Sequence, residues 1–99
     1  MLNFEKNQNA DQLIYTLEGR LDTTTAPTLE AELKGALNGV KELKLDFEKL
    51  EYISSAGLRV LLATQKVMNQ QGQMTILHVS DVIREIFDVT GFTDILTIE

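Results

Sequence analysis

The sequence predicts an α/β protein with a four- to five-stranded, mostly parallel sheet and about three helices. Three observations lead to this prediction. Several short segments alternate apolar and polar residues, which is typical of strands with one buried face. Other segments repeat apolar residues at intervals of three and four, which indicates amphipathic helices. The later elements run strand–helix–strand–helix–strand, and this order favours right-handed crossovers between parallel neighbours.

The first half of the chain predicts a hairpin followed by a helix. Alternating residues indicate a strand around residues 13–18, and residues 2–6 predict a weaker strand beside it. The threonines at 23–25 offer hydroxyl N-caps for a helix that carries Pro27 in its first turn. Gly39 is the expected C-cap, after apolar residues at helical spacing: Ala26, Leu29, Leu33, Ala36 and Leu37.

The middle of the chain predicts a strand and a second helix. Residues 43–47 alternate and indicate the strand, and the helix should begin near Ser54 or Ser55. It is expected to run to about Gln71 and to end at Gly72. Its apolar stripe contains Leu58, Leu61, Leu62 and Met68, broadened by Val60 and Val67.

The last third predicts a strand over residues 74–79, a third helix, and a short closing strand over residues 95–98. Ser80 can cap the third helix, and Gly91 should end it. The only histidine, His78, falls late in the predicted strand and is interpreted as a structural residue of the core.

The composition restricts the classes of partner. Nine Lys and Arg against fifteen Asp and Glu give a formal charge of −6, and the lysines are scattered among acidic residues. Nucleic acid and anionic membranes attract clustered basic side chains, so neither is an expected partner. A protein with a basic face is favoured instead, because opposite fields speed encounter.

Length and segment composition give further expectations. A chain of 99 residues fits one domain, so residues 1–99 are expected to form a single domain. The absence of cysteine excludes disulfides and thiolate metal sites within this sequence. Neither a signal peptide nor a membrane-length apolar stretch is visible, and we expect a cytoplasmic protein.

Residues 54–58 place two serines, a small residue and a glycine at the start of the second predicted helix. Free N–H groups and the helix dipole favour an anion there, and Gly57 lets another group approach closely. The simplest interpretation is that Ser54 or Ser55 caps the helix. A nucleophilic Ser55 is a weaker interpretation, because His78 is the only candidate histidine base and no Gly-x-Ser-x-Gly motif is present.

Three segments match one known pattern in order and spacing. The first is Tyr52-Ile53-Ser54-Ser55-Ala56-Gly57-Leu58. The second is Glu18-Gly19-Arg20-Leu21-Asp22, followed by Thr25-Ala26 and Leu29. The third runs from Asp81 to Gly91 and includes Val82, Arg84 and Phe87. Together they are distributed over most of the chain, which resembles the STAS-domain anti-sigma factor antagonists of bacteria; the resemblance implies a STAS-like single domain.

The resemblance implies a set of site residues. Ser55 falls on the serine that a partner kinase phosphorylates, and Asp22 matches an acidic residue in the loop beside it. Ser54 stands where many members carry aspartate, which makes it an alternative acceptor. Asp22 also has an interpretation as a loop residue that bonds its own backbone or caps the next helix. The implied partner-binding residues are Asp22, Thr25, Ser54, Ser55, Ala56, Gly57 and Leu58.

The resemblance also implies partners. The unphosphorylated form would bind an anti-sigma factor that is also a serine kinase, and would thereby free a sigma factor. Phosphorylation on Ser55 from ATP-Mg would separate the complex, and a serine phosphatase would reset it. The protein itself would be no enzyme and would need no cofactor or metal. Two alternatives stay open: a STAS partner-switch module with a non-sigma client, and a small-ligand or nucleotide-binding domain.

Overall fold

The computed structural model describes all 99 residues. The chain begins with a hairpin of two strands, after which three helices alternate with two further strands. A short 3₁₀ helix follows the last α-helix. In chain order the elements are β1 (Leu2–Asn9), β2 (Gln12–Leu21), α1 (Ala26–Ala36), β3 (Glu42–Ile53), α2 (Ser55–Gln71), β4 (Gln73–Leu77), α3 (Asp81–Thr90) and the 3₁₀ helix Phe92–Asp94.

The sheet has the strand order β1-β2-β3-β4. β1 pairs antiparallel with β2 through a tight hairpin, whereas β2, β3 and β4 are parallel neighbours. Helix α1 connects β2 to β3 and α2 connects β3 to β4, as crossovers between parallel strands require. The predicted α/β class, mostly parallel sheet and three helices are therefore confirmed.

One face of the sheet carries the core. The register places Leu13, Leu43 and Met74 in one row, and Tyr15, Leu45 and Ile76 in the next, all buried. These side chains join residues of all three helices in a single cluster of 23 buried apolar residues. The helices therefore cover this face, while the opposite face carries mainly polar side chains.

Two side-chain contacts attach α1 and α3 to the sheet. The phenol of Tyr15 donates a hydrogen bond to Glu32 Oε2 on α1 at 2.7 Å. Burial and this bond to a carboxylate raise the pKa of Tyr15, because both disfavour the phenolate. Phe87 on α3 packs against Phe47 on β3, with ring centroids 6.4 Å apart.

Several helix ends agree with the predictions made from the sequence. Ser54 and Ser80 are the N-caps of α2 and α3, and each side chain accepts a hydrogen bond from the backbone N–H three residues later. Gly72 ends α2, and Gly91 ends α3 in the left-handed conformation (φ 82°) that glycine adopts without strain. None of the helices has the length and apolarity needed to cross a membrane.

The end of α1 differs from the prediction. The helix stops at Ala36, and Leu37 is its C-cap. The Leu37 N–H donates the last helical hydrogen bond, to Leu33 O, and the chain then turns. Gly39 lies in that turn with φ 81°, two residues beyond the cap. The prediction of Gly39 as C-cap was therefore wrong, although a turn at Gly39 does end the segment.

Both strands predicted in the last third of the chain also differ. β4 ends at Leu77, because His78 adopts φ 57° and turns the chain out of the sheet. The predicted closing strand over residues 95–98 is reduced to one bridge between Ile98 and Ile76. The N–H groups of Ile95 and Leu96 donate back to Phe92 O instead of to the sheet. Two backbone hydrogen bonds join the rest of the tail to β4, through Thr97 O and the Glu99 N–H.

Candidate functional site

The candidate site lies at the carboxyl edge of the two central strands. β2 and β3 are parallel, so their ends, Leu21 and Ile53, are register partners at the same edge. The Ser54 N–H donates to Leu21 O at 2.9 Å and links the two strand ends directly. The structure therefore brings the turn that begins at Asp22 next to the start of α2.

Ser54 is the residue that caps α2. It has extended backbone angles (φ −98°, ψ 177°), and its hydroxyl oxygen accepts from the Gly57 N–H at a long 3.4 Å. Its carbonyl accepts the first helical hydrogen bond, from the Leu58 N–H at 2.9 Å. The strand predicted over residues 43–47 is longer than expected: β3 runs without a break to Ile53, and Ser54 alone joins strand to helix.

Ser55 has a different environment. It is the first residue of α2 and is exposed, whereas Ser54 is half-buried. The cap hydrogen bond belongs to Ser54, so the Ser55 hydroxyl is not engaged in holding the helix. The free N–H groups of the first turn lie beside it and suit an added negative charge.

Gly57 and Leu58 face the interior. A Cβ on Gly57 would lie 2.8 Å from side-chain carbons of both Leu21 and Ile53 and 3.0 Å from Leu21 O. The close approach expected at Gly57 is thus made by the chain's own strand ends. Leu58 is also buried in the core. These two residues position the helix start, and the exposed surface there belongs to Ser55 and Arg59.

The turn after β2 is organised by Asp22. Its Oδ1 accepts from the Thr24 hydroxyl at 2.8 Å and from the N–H groups of Thr24 and Thr25 at 3.0 and 3.1 Å. These bonds, led by the one from the Thr24 hydroxyl, lower the pKa of Asp22 to about 2. Asp22 is therefore an ionised residue that bonds its own turn, as the loop interpretation expected.

Thr25 supports the same turn and does not act as a side-chain cap. Its hydroxyl donates to Arg20 O at 2.8 Å and accepts from the Asp22 N–H at 2.8 Å. The residue is in the helical region (φ −99°, ψ −24°), and its side chain caps nothing in α1. The predicted hydroxyl capping of this helix is wrong because the threonine oxygen is turned back towards the strand end.

Arg20 and Tyr52 form a contact that sequence reasoning missed. The Arg20 guanidinium lies 4.5 Å from the ring centroid of Tyr52, and its Nε is 3.7 Å from Asp22 Oδ2. The two residues are register partners on β2 and β3. Two register shifts lie between Thr16 and Arg20, so strand alternation in the sequence does not reveal this pair.

Arg59 was also missed. It is exposed and lies one turn after Ser55, a spacing that places the two side chains on the same face of α2. Arg59, Thr23 and Glu30 line a shallow cleft between the starts of α1 and α2. The i,i+4 spacing of a serine and an arginine was the available signal in the sequence.

His78 lies away from this cluster and was wrongly placed in the core. Its side chain is 58% exposed, and Nδ1 is 3.0 Å from Asp46 Oδ1. The hydrogen bond to this carboxylate and its charge raise the pKa of His78, because both favour the imidazolium. Nothing in this geometry connects His78 to either serine.

Comparison with known proteins identifies the family. The STAS domain model matches residues 2–99. The chain belongs to the STAS domain family. A relative from Bordetella bronchiseptica, BtrV, named as a candidate anti-sigma factor antagonist, is 39% identical over 88 residues, or 87% of this chain and 76% of its own. The anti-sigma-B factor antagonist of Staphylococcus aureus is 34% identical, with 96% of this STAS chain and 90% of the relative covered.

Solved structures agree on the fold. An anti-sigma factor antagonist from Mycobacterium paratuberculosis superposes with a TM-score of 0.89 at 19% identity, covering 99% of this STAS domain and 85% of that chain. The anti-sigma factor antagonist SpoIIAA in its unphosphorylated form gives 0.78 at 20% identity, with 98% and 87% covered. SpoIIAA has also been solved in a phosphorylated form, which gives 0.77 at 20% identity, with 98% and 91% covered. The predicted resemblance to STAS-domain anti-sigma factor antagonists is confirmed.

Proposed function

We propose that this STAS domain is an anti-sigma factor antagonist whose binding is switched off by phosphorylation on Ser55. The unphosphorylated form binds an anti-sigma factor that is also a serine kinase, and the sigma factor is released. The observation that carries the proposal is the exposed Ser55 hydroxyl at the start of α2, beside a helix cap supplied by Ser54. Relatives named as anti-sigma factor antagonists give the class of partner.

The two serines differ in a way that favours Ser55 as the acceptor. A kinase must bring the γ-phosphorus of ATP in line with the serine oxygen. Ser55 is exposed and does not cap the helix, so its oxygen is open to that approach. Ser54 is half-buried and would have to give up its bond to the Gly57 N–H.

The transfer itself needs little from this chain. The Ser55 oxygen forms a bond to the γ-phosphorus, ADP leaves with the electrons of the broken phosphoanhydride bond, and the hydroxyl proton passes to a base of the kinase. The kinase supplies ATP-Mg. The STAS domain contributes a hydroxyl at a fixed position and the surface around it, and a serine phosphatase later restores that hydroxyl.

Charge at the interface explains the loss of binding. A phosphate adds about −1.5 to −2 charge at neutral pH. At the start of α2 it gains about 0.3–1 kcal/mol from the helix dipole, so the domain stays folded. Buried in an interface in which the kinase offers it no basic partner, the same charge costs several kcal/mol. The ionised Asp22 and a formal charge of −6 add to the negative field.

The test is a kinase assay on matched variants. The purified protein is incubated with a candidate anti-sigma kinase, ATP and Mg²⁺, and the phosphate is located by mass spectrometry. We expect modification on Ser55 in the parent and in Ser54→Ala, and none in Ser55→Ala, which should keep its kinase affinity in the presence of ATP. Phosphate on Ser54 would refute the assignment, and binding without any phosphate transfer would refute the switch.

A further inference from the structure

Helix α3 carries exposed aliphatic side chains on a face that does not belong to the core. Its inner face is formed by Ile83 and Phe87, both completely buried. Beside them, Val82 and Val89 are 60% and 81% exposed, and Ile86 between them is half-buried, with part of its side chain packed against the core. Their spacing of i, i+4 and i+7 places the three in one continuous row along the helix.

A row of acidic residues runs beside this apolar row. The row has the same i, i+4 and i+7 spacing and consists of Asp81, Glu85 and Asp88, each one position before an aliphatic residue of the apolar row. All three acidic residues are exposed. None of them lies within ion-pair distance of a basic side chain of the protein. At 100° per residue, Arg84 falls beyond the acidic row, on the side away from the valines.

These two parallel rows restrict the occupant of the face. A second copy packed antiparallel would bring two acidic rows together, and one packed parallel would supply no basic side chain to either row. An anionic membrane would be repelled by the acidic rows. A neutral apolar surface would desolvate these carboxylates, of which only Asp88 has a side-chain partner, the Thr93 hydroxyl, and this desolvation is costly. A helix with an aliphatic row and a basic row beside it can cover the apolar row of α3 and pair with its acidic row. The side chains of such a helix have the same spacing along its axis as those of α3.

We propose that the outer face of α3 binds a basic amphipathic helix of a partner protein. Aliphatic side chains of that helix cover Val82, Ile86 and Val89, and Lys or Arg side chains pair with Asp81, Glu85 and Asp88. This surface is formed by a helix that contributes nothing to the Ser55 site, so the interaction is independent of the proposed phosphorylation.

The test uses two designed helical peptides with the same leucine row, one flanked by lysines and one by glutamates. Backbone amide shifts of the full-length protein are followed by NMR during titration with each peptide. We expect the lysine peptide to shift amides of residues 81–90 and to bind at least about tenfold more tightly than the glutamate peptide. Its affinity should fall as salt is added, because exposed charge pairs are screened.

Matched variants test whether the apolar row and the acidic row form the binding surface. The double variant Val82→Ser, Val89→Ser and the single variant Glu85→Lys should each weaken lysine-peptide binding by about tenfold or more. Val67→Ser, at a valine on α2 that is 42% exposed, is the control and should leave binding unchanged. Thermal unfolding of each variant establishes that it is folded, as expected for exposed positions.

Three results would overturn the proposal. Equal binding of the two peptides, or binding that the valine variant does not weaken, would exclude recognition by these rows. A dimer in sedimentation equilibrium that Val82→Ser, Val89→Ser dissociates would assign the face to a second copy. Co-sedimentation of the protein with phosphatidylglycerol vesicles, lost in the same variant, would assign it to a membrane.

Discussion

Ser54 and Ser55 are neighbours in sequence with different physical roles. The hydroxyl oxygen of Ser54 accepts a hydrogen bond from the Gly57 N–H in the first turn of α2, whereas the hydroxyl of Ser55 takes no part in this cap. We predict that Ser54→Ala lowers the free energy of unfolding by about 0.5–1 kcal/mol, the lower range for a lost N-cap, because the bond is long. Ser55→Ala should change it by less than about 0.5 kcal/mol. Urea denaturation measures both values, and an equal loss in Ser55→Ala would mean that Ser55 shares the cap.

His78 allows a pH prediction at a single residue. Asp46 raises the pKa of His78 above its usual 6.5, so the folded state binds the proton more tightly than the unfolded state. The pair therefore stabilises the fold fully below pH 6.5, and this contribution is lost as pH rises through the folded pKa. Histidine ring shifts measured by NMR against pH should give a raised pKa in the parent.

Asp46→Asn supplies the control for that titration. It removes the charge facing Nδ1 at 3.0 Å and keeps the size of the side chain. The pKa of His78 should then fall towards its ordinary value, with Glu48 as the only other carboxylate that raises it. A pKa that is the same in parent and variant would contradict the ion pair.

At the scale of elements, the start of α2 is held by contact with the ends of two strands. Gly57 has no room for a side chain because Leu21 and Ile53 pack against its Cα. We predict that Gly57→Ala lowers the free energy of unfolding by about 1–3 kcal/mol through overpacking. The measurement is chemical denaturation, with the helix content of the folded variant followed by circular dichroism.

Gly35 is a matched control for this prediction. It also lies within a helix, α1, but a Cβ there would meet nothing within 4 Å. Gly35→Ala should therefore raise the free energy of unfolding by about 0.5–1 kcal/mol, since alanine is the better helix former. If both variants were stabilised, the contact between Gly57 and the strand ends would be looser than the structure places it.

At the scale of the whole molecule, we predict that phosphorylation on Ser55 acts through charge and leaves the fold unchanged. Amide shifts should change near Ser55 only, and the thermal midpoint should move little, because the dipole contribution is about 1 kcal/mol or less. Binding to the kinase should nevertheless fall by about 10²-fold or more, as expected for a buried unpaired charge costing about 3 kcal/mol. Ser55→Asp should reproduce the effect in part, because a carboxylate carries less charge.

Two measurements check this whole-molecule prediction. NMR spectra of both forms report changes in structure, and calorimetric titration of each with the kinase reports affinity. Shift changes that extend through α3 and the sheet would indicate a conformational relay and would contradict the electrostatic explanation. Equal affinity of the two forms would contradict the switch itself.

The sequence alone determined the four strands and three helices, their order and several of their ends. Hydrophobic spacing identified each helix, and the caps at Ser80 and Gly91 were predictable because capping depends on one residue and the next turn. For α2 the same signals left Ser54 and Ser55 as alternatives, and the structure assigns the cap to Ser54. The position of Ser55 at the start of a helix followed from the same local signals. These features involve interactions within a few residues, which a sequence displays directly.

Tertiary structure decided which residues meet. The pairing of Arg20 with Tyr52 depends on register shifts between β2 and β3, and the burial of Gly57 depends on the strand ends that converge on it. His78 adopts a left-handed backbone conformation that takes the chain out of β4, and the apolar alternation of the sequence does not predict it. The tail forms a bridge at Ile98 instead of a strand because the N–H groups of Ile95 and Leu96 donate back to Phe92 O. The Arg20–Tyr52 contact and the burial of Gly57 depend on the packing of segments distant in sequence, which local periodicity does not encode.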